Sequence, residues 1–249
     1  MMIARGVEAL EIPATMGGTK TSIYPTLIWD SEAAILVDAG FPGQIPAIRR
    51  SVASSGALFE NIDKIIITHH DRDHTGSLRS VLTNLPQKAS VLSHQEERQY
   101  IEGRALPCKV ILAEAPDSPY PPETKAIFLQ QKLDYLDFAV SVDRTLEDGE
   151  ELPFCGGIVV IHTPGHTPGH ICLYIAQSKT LVAGDALCVE NKSLHTLPKF
   201  ASFDPSLAVK SLDKLVPYDV ETVICYHGGV WRGSASQFVA ELKALRYSA

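Results

Sequence analysis

Along the chain, short apolar runs alternate with stretches whose apolar residues recur at helical spacing, and turn residues separate the two. "SIYPTLIWDSEAAILVDAG" reads as two strands joined at Asp30–Ser31 and stopped by a glycine. "IPAIRRSVASSG" reads as a helix ending at Gly56, and "KIIIT" as a buried strand. "GSLRSVLTNLP" predicts a helix that closes near Pro86. "ASVLSH" predicts a short strand, with a polar helix from about Gln95. Between Gly103 and Asp143 the pattern weakens, and "EAPDSPYPPET", with four of the 16 prolines, is expected to be a loop. A second block follows, in which "GIVVIHTPGHTPGH", "ICLYIA", "KTLVAGDAL" and "TVICYHGG" are strands. Between the last two, "DPSLAVKSLDKLV" is a helix with Asp204 as N-cap and Pro205 at N1. "SASQFVAELKALRY" closes the chain as an amphipathic helix.

Each half thus pairs strands with helices that cover one face of them. This predicts an α/β fold, a four-layer αββα sandwich, in which loops at one edge of the paired sheets meet at a single site. No linker or low-complexity tract interrupts the 249 residues, so residues 1–249 are expected to form one domain.

Composition narrows the function classes. The net charge of −7, without a basic stripe, speaks against nucleic acid as a partner and leaves a small-molecule substrate. Apolar runs stay near five residues, far from the ~20 of a membrane-spanning helix. The N-terminus lacks the pattern of a signal peptide, so a cytoplasmic location is expected; a homodimer is compatible with the composition. The five cysteines are odd in number, show no CxxC pairing and lie mostly in apolar runs, which reads as reduced structural thiols.

The chemistry concentrates in four turns, each directly after an apolar run: "THHDRDHTG" (68–76), His166 in "TPGHTPGH", Asp185 in "VAGDAL" and His227 in "CYHGG". Strand ends hold ligands more rigidly than mobile loops do, and Gly165, Gly184 and Gly228 allow tight turns beside them. The four turns, with "ILVDAG" (Asp38) before them, resemble the metallo-β-lactamase fold superfamily of metallo-hydrolases. That family's signature runs His-x-His-x-Asp-His, then a distant His, an Asp and a final His.

The resemblance implies a centre of two divalent metal ions. His69, Asp71 and His166 would hold the first, Asp73, His74 and His227 the second, and Asp185 would bridge them. Asp38, Thr68 and His170 would support the ligands from behind. Asp73, beside the nucleophilic water, would accept the proton after attack. His70 falls at a spacer position and points away from its ligating neighbours.

Asp71 stands where the family has a second histidine. The added carboxylate makes the ligand set more anionic. It is expected to favour harder ions such as manganese or iron over zinc, the metal most common in the family, and to weaken acidification of a bound water. The same substitution resembles the glutamate of the flavodiiron branch. The leading expectation is therefore hydrolysis of a small ester, thioester or lactone by hydroxide held between two metals. An iron-dependent redox enzyme, sulfur dioxygenase-like or oxygen-reducing, is the alternative. No "GHEYT"-like block separates Asp185 from His227, which speaks against a glyoxalase-II identity.

His70, His94, His162 and His195 are expected to be ordinary polar residues, Tyr226 and Trp231 packing residues, and "GGTK" (17–20) a plain turn. Asp71→Ala should therefore lose metal, whereas His70→Ala should largely keep it.

Overall fold

In the computed structural model, which describes residues 1–248, two sheets face one another and carry helices on their outer faces. The first sheet has seven strands in the order Met2–Ala4, Val7–Ala9, Thr26–Trp29, Ala34–Val37, Lys64–Ile67, Ser90–His94, Arg144–Leu146. The first four run antiparallel, and from Ala34–Val37 onward the neighbours are parallel. The second sheet orders Glu151–Leu152, Ile158–His162, Ile171–Ile175, Thr180–Gly184, Thr222–Cys225 and Gly229–Arg232, with Thr180–Gly184 parallel to Thr222–Cys225.

Strand periodicity explains the layers. Ile65 and Ile67 face the outer core under the helices Ile45–Ser54 and Leu78–Asn84, whereas Ile66 faces the core between the sheets. The part of the strand buried on both faces has no polar position to spare, hence the unbroken run Ile65–Ile67 after Lys64. Likewise Leu173 points between the sheets, while Cys172 and Tyr174 join the core under Ala235–Ser248, whose Phe238 and Leu242 are buried. The four-layer αββα sandwich expected from the sequence is the observed architecture.

Several elements were not foreseen. "IPATMGGTKTSI" forms a separate hairpin, Ile12–Met16 with Thr19–Ile23, turning at Gly17 and Gly18. The "GGTK" turn is therefore a hairpin tip. Where the sequence pattern weakens, the chain forms the helices Cys108–Glu114 and Pro122–Gln131, so the expected loop is confined to the residues between them. Another hairpin, Cys188–Glu190 with Ser193–His195, follows Asp185. Asp204 caps its helix as expected, its side chain accepting the Leu207 N–H at 2.9 Å.

At the seam between the sheets, the rings of His94 and His162 stack with centroids 3.9 Å apart. His94 Nδ1 accepts the Glu96 N–H, capping the helix Gln95–Ile101, and His162 Nε2–H donates to the Pro168 carbonyl. Burial first, and then the neighbouring His162, lowers the His94 pKa to about 4. An unfolded chain protonates this ring near 6.5 while the folded one resists, so its share of stability is present above pH 6.5 and lost as pH falls towards 4. After discounting for its half-exposed position, the loss is about 1–2 kcal/mol. In urea unfolding of metal-free protein, His94→Asn, which keeps a capping side chain, should lose less stability than wild type between pH 7.5 and 4.5, by about that amount.

Candidate metal centre

The parallel strands Ala34–Val37 and Lys64–Ile67 end on the same edge, which places Asp38 beside the turn 68–74. Thr180–Gly184 and Thr222–Cys225, also parallel, end together and deliver Asp185 and His227. The sheets are stitched at this edge by Ile171 N–H donating to the Thr68 carbonyl at 3.1 Å. All seven candidate ligands converge there in two groups, His69–Asp71–His166–Asp185 and Asp73–His74–His227.

In the first group, Asp71 Oδ2 is 3.4 Å from His69 Nε2 and 3.1 Å from His166 Nε2, and the two ring nitrogens are 3.1 Å apart. Asp185 Oδ2 lies 3.3 Å from His166 Nε2 and 3.9 Å from His69 Nε2. In the second, His227 Nε2 is 3.3 Å from Asp73 Oδ2, and His74 Nε2 is 3.8 Å from that oxygen. Asp185 faces this group too, with Oδ1 at 3.4 Å from His74 and Oδ2 at 3.4 Å from His227. A tetrahedral ion with ligand bonds of about 2.0–2.1 Å separates its ligand atoms by roughly 3.4 Å, so both groups have the spacing of a coordination shell. His74 Nε2 and Asp185 Oδ1 are buried without a hydrogen-bond partner, a costly arrangement that a bound cation would relieve.

The supporting residues fix which ring nitrogen faces the centre. Asp38 adopts a left-handed backbone, φ 63°, and its carboxylate accepts the Thr68 N–H and hydroxyl, each at 2.8 Å. It also accepts His74 Nδ1–H at 2.8 Å, which leaves the Nε2 lone pair for a metal. Because the Thr68 hydroxyl donates to Asp38, its oxygen can accept His69 Nδ1–H at 3.1 Å, with the same result. His170 Nε2 accepts the Asp185 N–H at 3.0 Å while Nδ1–H meets Thr163 Oγ1 at 2.9 Å. Burial, with His166 nearby, pushes the His170 pKa down to about 3, so the ring stays a neutral acceptor. Gly184 is required here: its φ is +50°, and a Cβ would sit 2.7 Å from His170 Nε2. The Tyr226 ring stacks on His74 and its hydroxyl donates to the Asp73 carbonyl at 2.5 Å, so this packing residue also holds a ligand turn. Trp231 is buried in the outer core.

The two groups differ electrically. Burial disfavours charge on His227, but Asp185 and Asp73 outweigh it and raise its pKa to about 10. His74 is raised in the same way, burial being overcome by Asp38 and then Asp185. His69 and His166 go the other way, lowered first by burial and then by His74 and Lys109 respectively.

Two residues of the centre escaped the sequence reading. Lys109, on the helix Cys108–Glu114, ion-pairs with Asp71 Oδ2, and its Nζ lies 3.0 Å from His166 Nε2. Burial opposes charge on Asp71, but Lys109 prevails and holds the carboxyl well below its usual range. Asp71 and Lys109 together carry the same net charge as a neutral imidazole, so the added carboxylate of the ligand set is offset while the lysine stays beside it. The other residue is Glu97, fully buried, whose Oε1 accepts Thr167 Oγ1–H and Gly169 N–H, each at 2.7 Å. Its Oε2 accepts the His70 N–H at 2.8 Å and pairs with His70 Nδ1. His70 Nε2 in turn accepts the Cys108 N–H at 3.2 Å. His70 does point away from the ligands, yet it is a buried tie between the metal-bearing turn and the helix that carries Lys109.

The centre lies in an open cleft of about 1540 Å³. Asp71, Asp73, His166, Asp185 and His227 line its polar part. Its apolar walls come from the first hairpin through Met16, from Phe41, from the helix Pro122–Gln131 through Ile127 and Phe128, and from Phe200.

A two-sheet sandwich with histidines and aspartates gathered at one edge is the architecture shared by the metallo-hydrolase superfamily. Residues 18–227 match the metallo-beta-lactamase superfamily, and the chain belongs to it. A probable metallo-hydrolase, YflN of Bacillus subtilis, is 29% identical over 78% of this chain and 75% of its own length. A hydroxyacylglutathione hydrolase of Synechococcus is 28% identical over 64% of this chain and 45% of its own. A metallo-beta-lactamase family protein from Thermus thermophilus superposes with a TM-score of 0.65 at 22% identity, over 98% of this chain and 81% of the other. Among the described residues, no helix is long and apolar enough to cross a membrane.

Proposed function

We propose that the protein hydrolyses a small ester, thioester or lactone at a centre of two divalent ions. The observation that carries this reading is Asp185, whose two oxygens face both ligand groups at the floor of the apolar-walled cleft. When bound, the ions would polarise the substrate carbonyl and acidify a water at neutral pH. His69, Asp71 and His166 would hold one ion, Asp73, His74 and His227 the other, with Asp185 shared. Asp73, 15% exposed at its side chain, reaches the cleft and would take the proton during attack. The apolar walls suit the acyl part of a carboxylic substrate rather than a highly charged one. Hydroxyacylglutathione, which the Synechococcus relative's name gives as its substrate, is a thioester and so of the same bond class.

Stripped protein reloaded in turn with zinc, manganese or iron should cleave members of a panel of thioesters, lactones and aryl esters faster than its metal-free form. Folded protein with measured metal content and no turnover across the panel would count decisively against this reading.

A further inference from the structure

The helix Cys108–Glu114 belongs to neither sheet, yet its Lys109 side chain is buried and ends inside the first ligand group. The two atoms its ammonium touches, Asp71 Oδ2 and His166 Nε2, are two of the four that outline that group. His166 Nε2 has a single in-plane lone pair, so it can serve the ammonium or a metal ion but not both. An ammonium kept at this distance from a divalent ion would also repel it strongly in so enclosed a place. The second group has no such neighbour: among the described residues, neither Asp73 nor Asp185 ion-pairs with a lysine or arginine. The position of Lys109 is set by the fold, since the preceding residue is tied through its N–H to His70. Lys109 is among the residues that line the cleft, which gives the ammonium somewhere to go.

We propose that Lys109 is an internal occupant of the first site, so that the two sites fill unequally. The ammonium holds Asp71 and His166 in place until an ion displaces it. The second site, with Asp73, His74 and His227, fills first and retains its ion. This inference rests on the reading of both groups as metal sites and concerns how they load.

Full-length protein is stripped with a chelator, titrated with zinc against a competing chromophoric chelator and passed through a desalting column. Metal per chain is then read by elemental analysis. Wild type is expected to retain about one zinc per chain and Lys109→Met about two, with first-site affinity at least about tenfold tighter in the variant. The double variant Asp71→His/Lys109→Met, which replaces the pair by a neutral imidazole and an uncharged stem, should also retain two. It covers the case in which Asp71 without its partner disturbs folding, checked by circular dichroism and thermal melting. If wild type retains two zinc ions as firmly as Lys109→Met, or if both folded variants stay at one, the proposal is overturned. Zinc bound by none of the three would overturn the metal-centre reading itself, and this inference with it.

Discussion

Asp185→Ala is expected to leave a folded protein that retains no firmly bound metal in either group and has almost no hydrolytic activity. The other ligands serve one group each, whereas Asp185 faces His166 and His227 through one oxygen and His74 through the other. Losing several kcal/mol of metal-assisted stabilisation corresponds to a fall in kcat/KM on the order of 10³-fold, at about 1.4 kcal/mol per tenfold. Stability separates this outcome from misfolding. A ligand that binds only the native state raises its stability by mass action, so chelation should lower the melting temperature of wild type. Asp185→Ala should melt at one temperature with or without chelator. A variant that keeps its metal and a chelator-sensitive melt would remove Asp185 from the central role given to it.

The second large effect is on the fold. Glu97→Ala should cost roughly 3–5 kcal/mol, because it strands a set of buried donors that this one carboxylate serves. Those donors are the His70 N–H and Nδ1–H, the Thr167 hydroxyl and the Gly169 N–H. In a chain of this size the melting temperature should drop by on the order of 10 °C. Because the donors sit on the turns that bear His69–His74 and His166, metal affinity should fall as well, although Glu97 touches no ion. Titration of Glu97→Ala with zinc beside wild type, together with thermal melts, measures both. An unchanged melt would show that water or rearrangement satisfies the donors. By the same logic His70→Ala is no longer expected to be mild: it breaks one link of this buried network and frees the Cys108 N–H that accompanies Lys109.

The candidate ligands could be picked out in the sequence because each lies in a turn or short helix close after an apolar run, and strand ends fix position with little help from distant residues. His70 could be set aside from the ligands for a local reason as well, the alternation of side chains along an extended segment. Glu97 and Lys109 were not legible. They lie in "QEERQYI", which reads as a polar helix, and in "CKVILAE", where the pattern weakens, and their partners are 27 to 72 residues away in sequence. One signal for Lys109 was present, a lysine framed by "C" and "VILA", where a charged residue has to find a partner if the helix is buried. The hairpin of residues 12–23 also left a trace in its alternating pattern around Gly-Gly, which the turn reading of "GGTK" overlooked.

The cleft and the centre are built from separable parts of the chain. Every candidate ligand stands at the end of a sheet strand, in the turn that follows or, for Asp73 and His74, in the short helix Arg72–Thr75, while the walls are a hairpin tip, Phe41, residues around Phe200 and a helix, Pro122–Gln131, in which no residue is buried. Substitutions at exposed positions of that helix are expected to change what the cleft accepts at little expense in folding. A library confined to Ile127, Phe128 and Phe200 is thus a direct route to altered substrate preference, and the same modularity lets one metal scaffold diversify its substrates while its chemistry stays fixed.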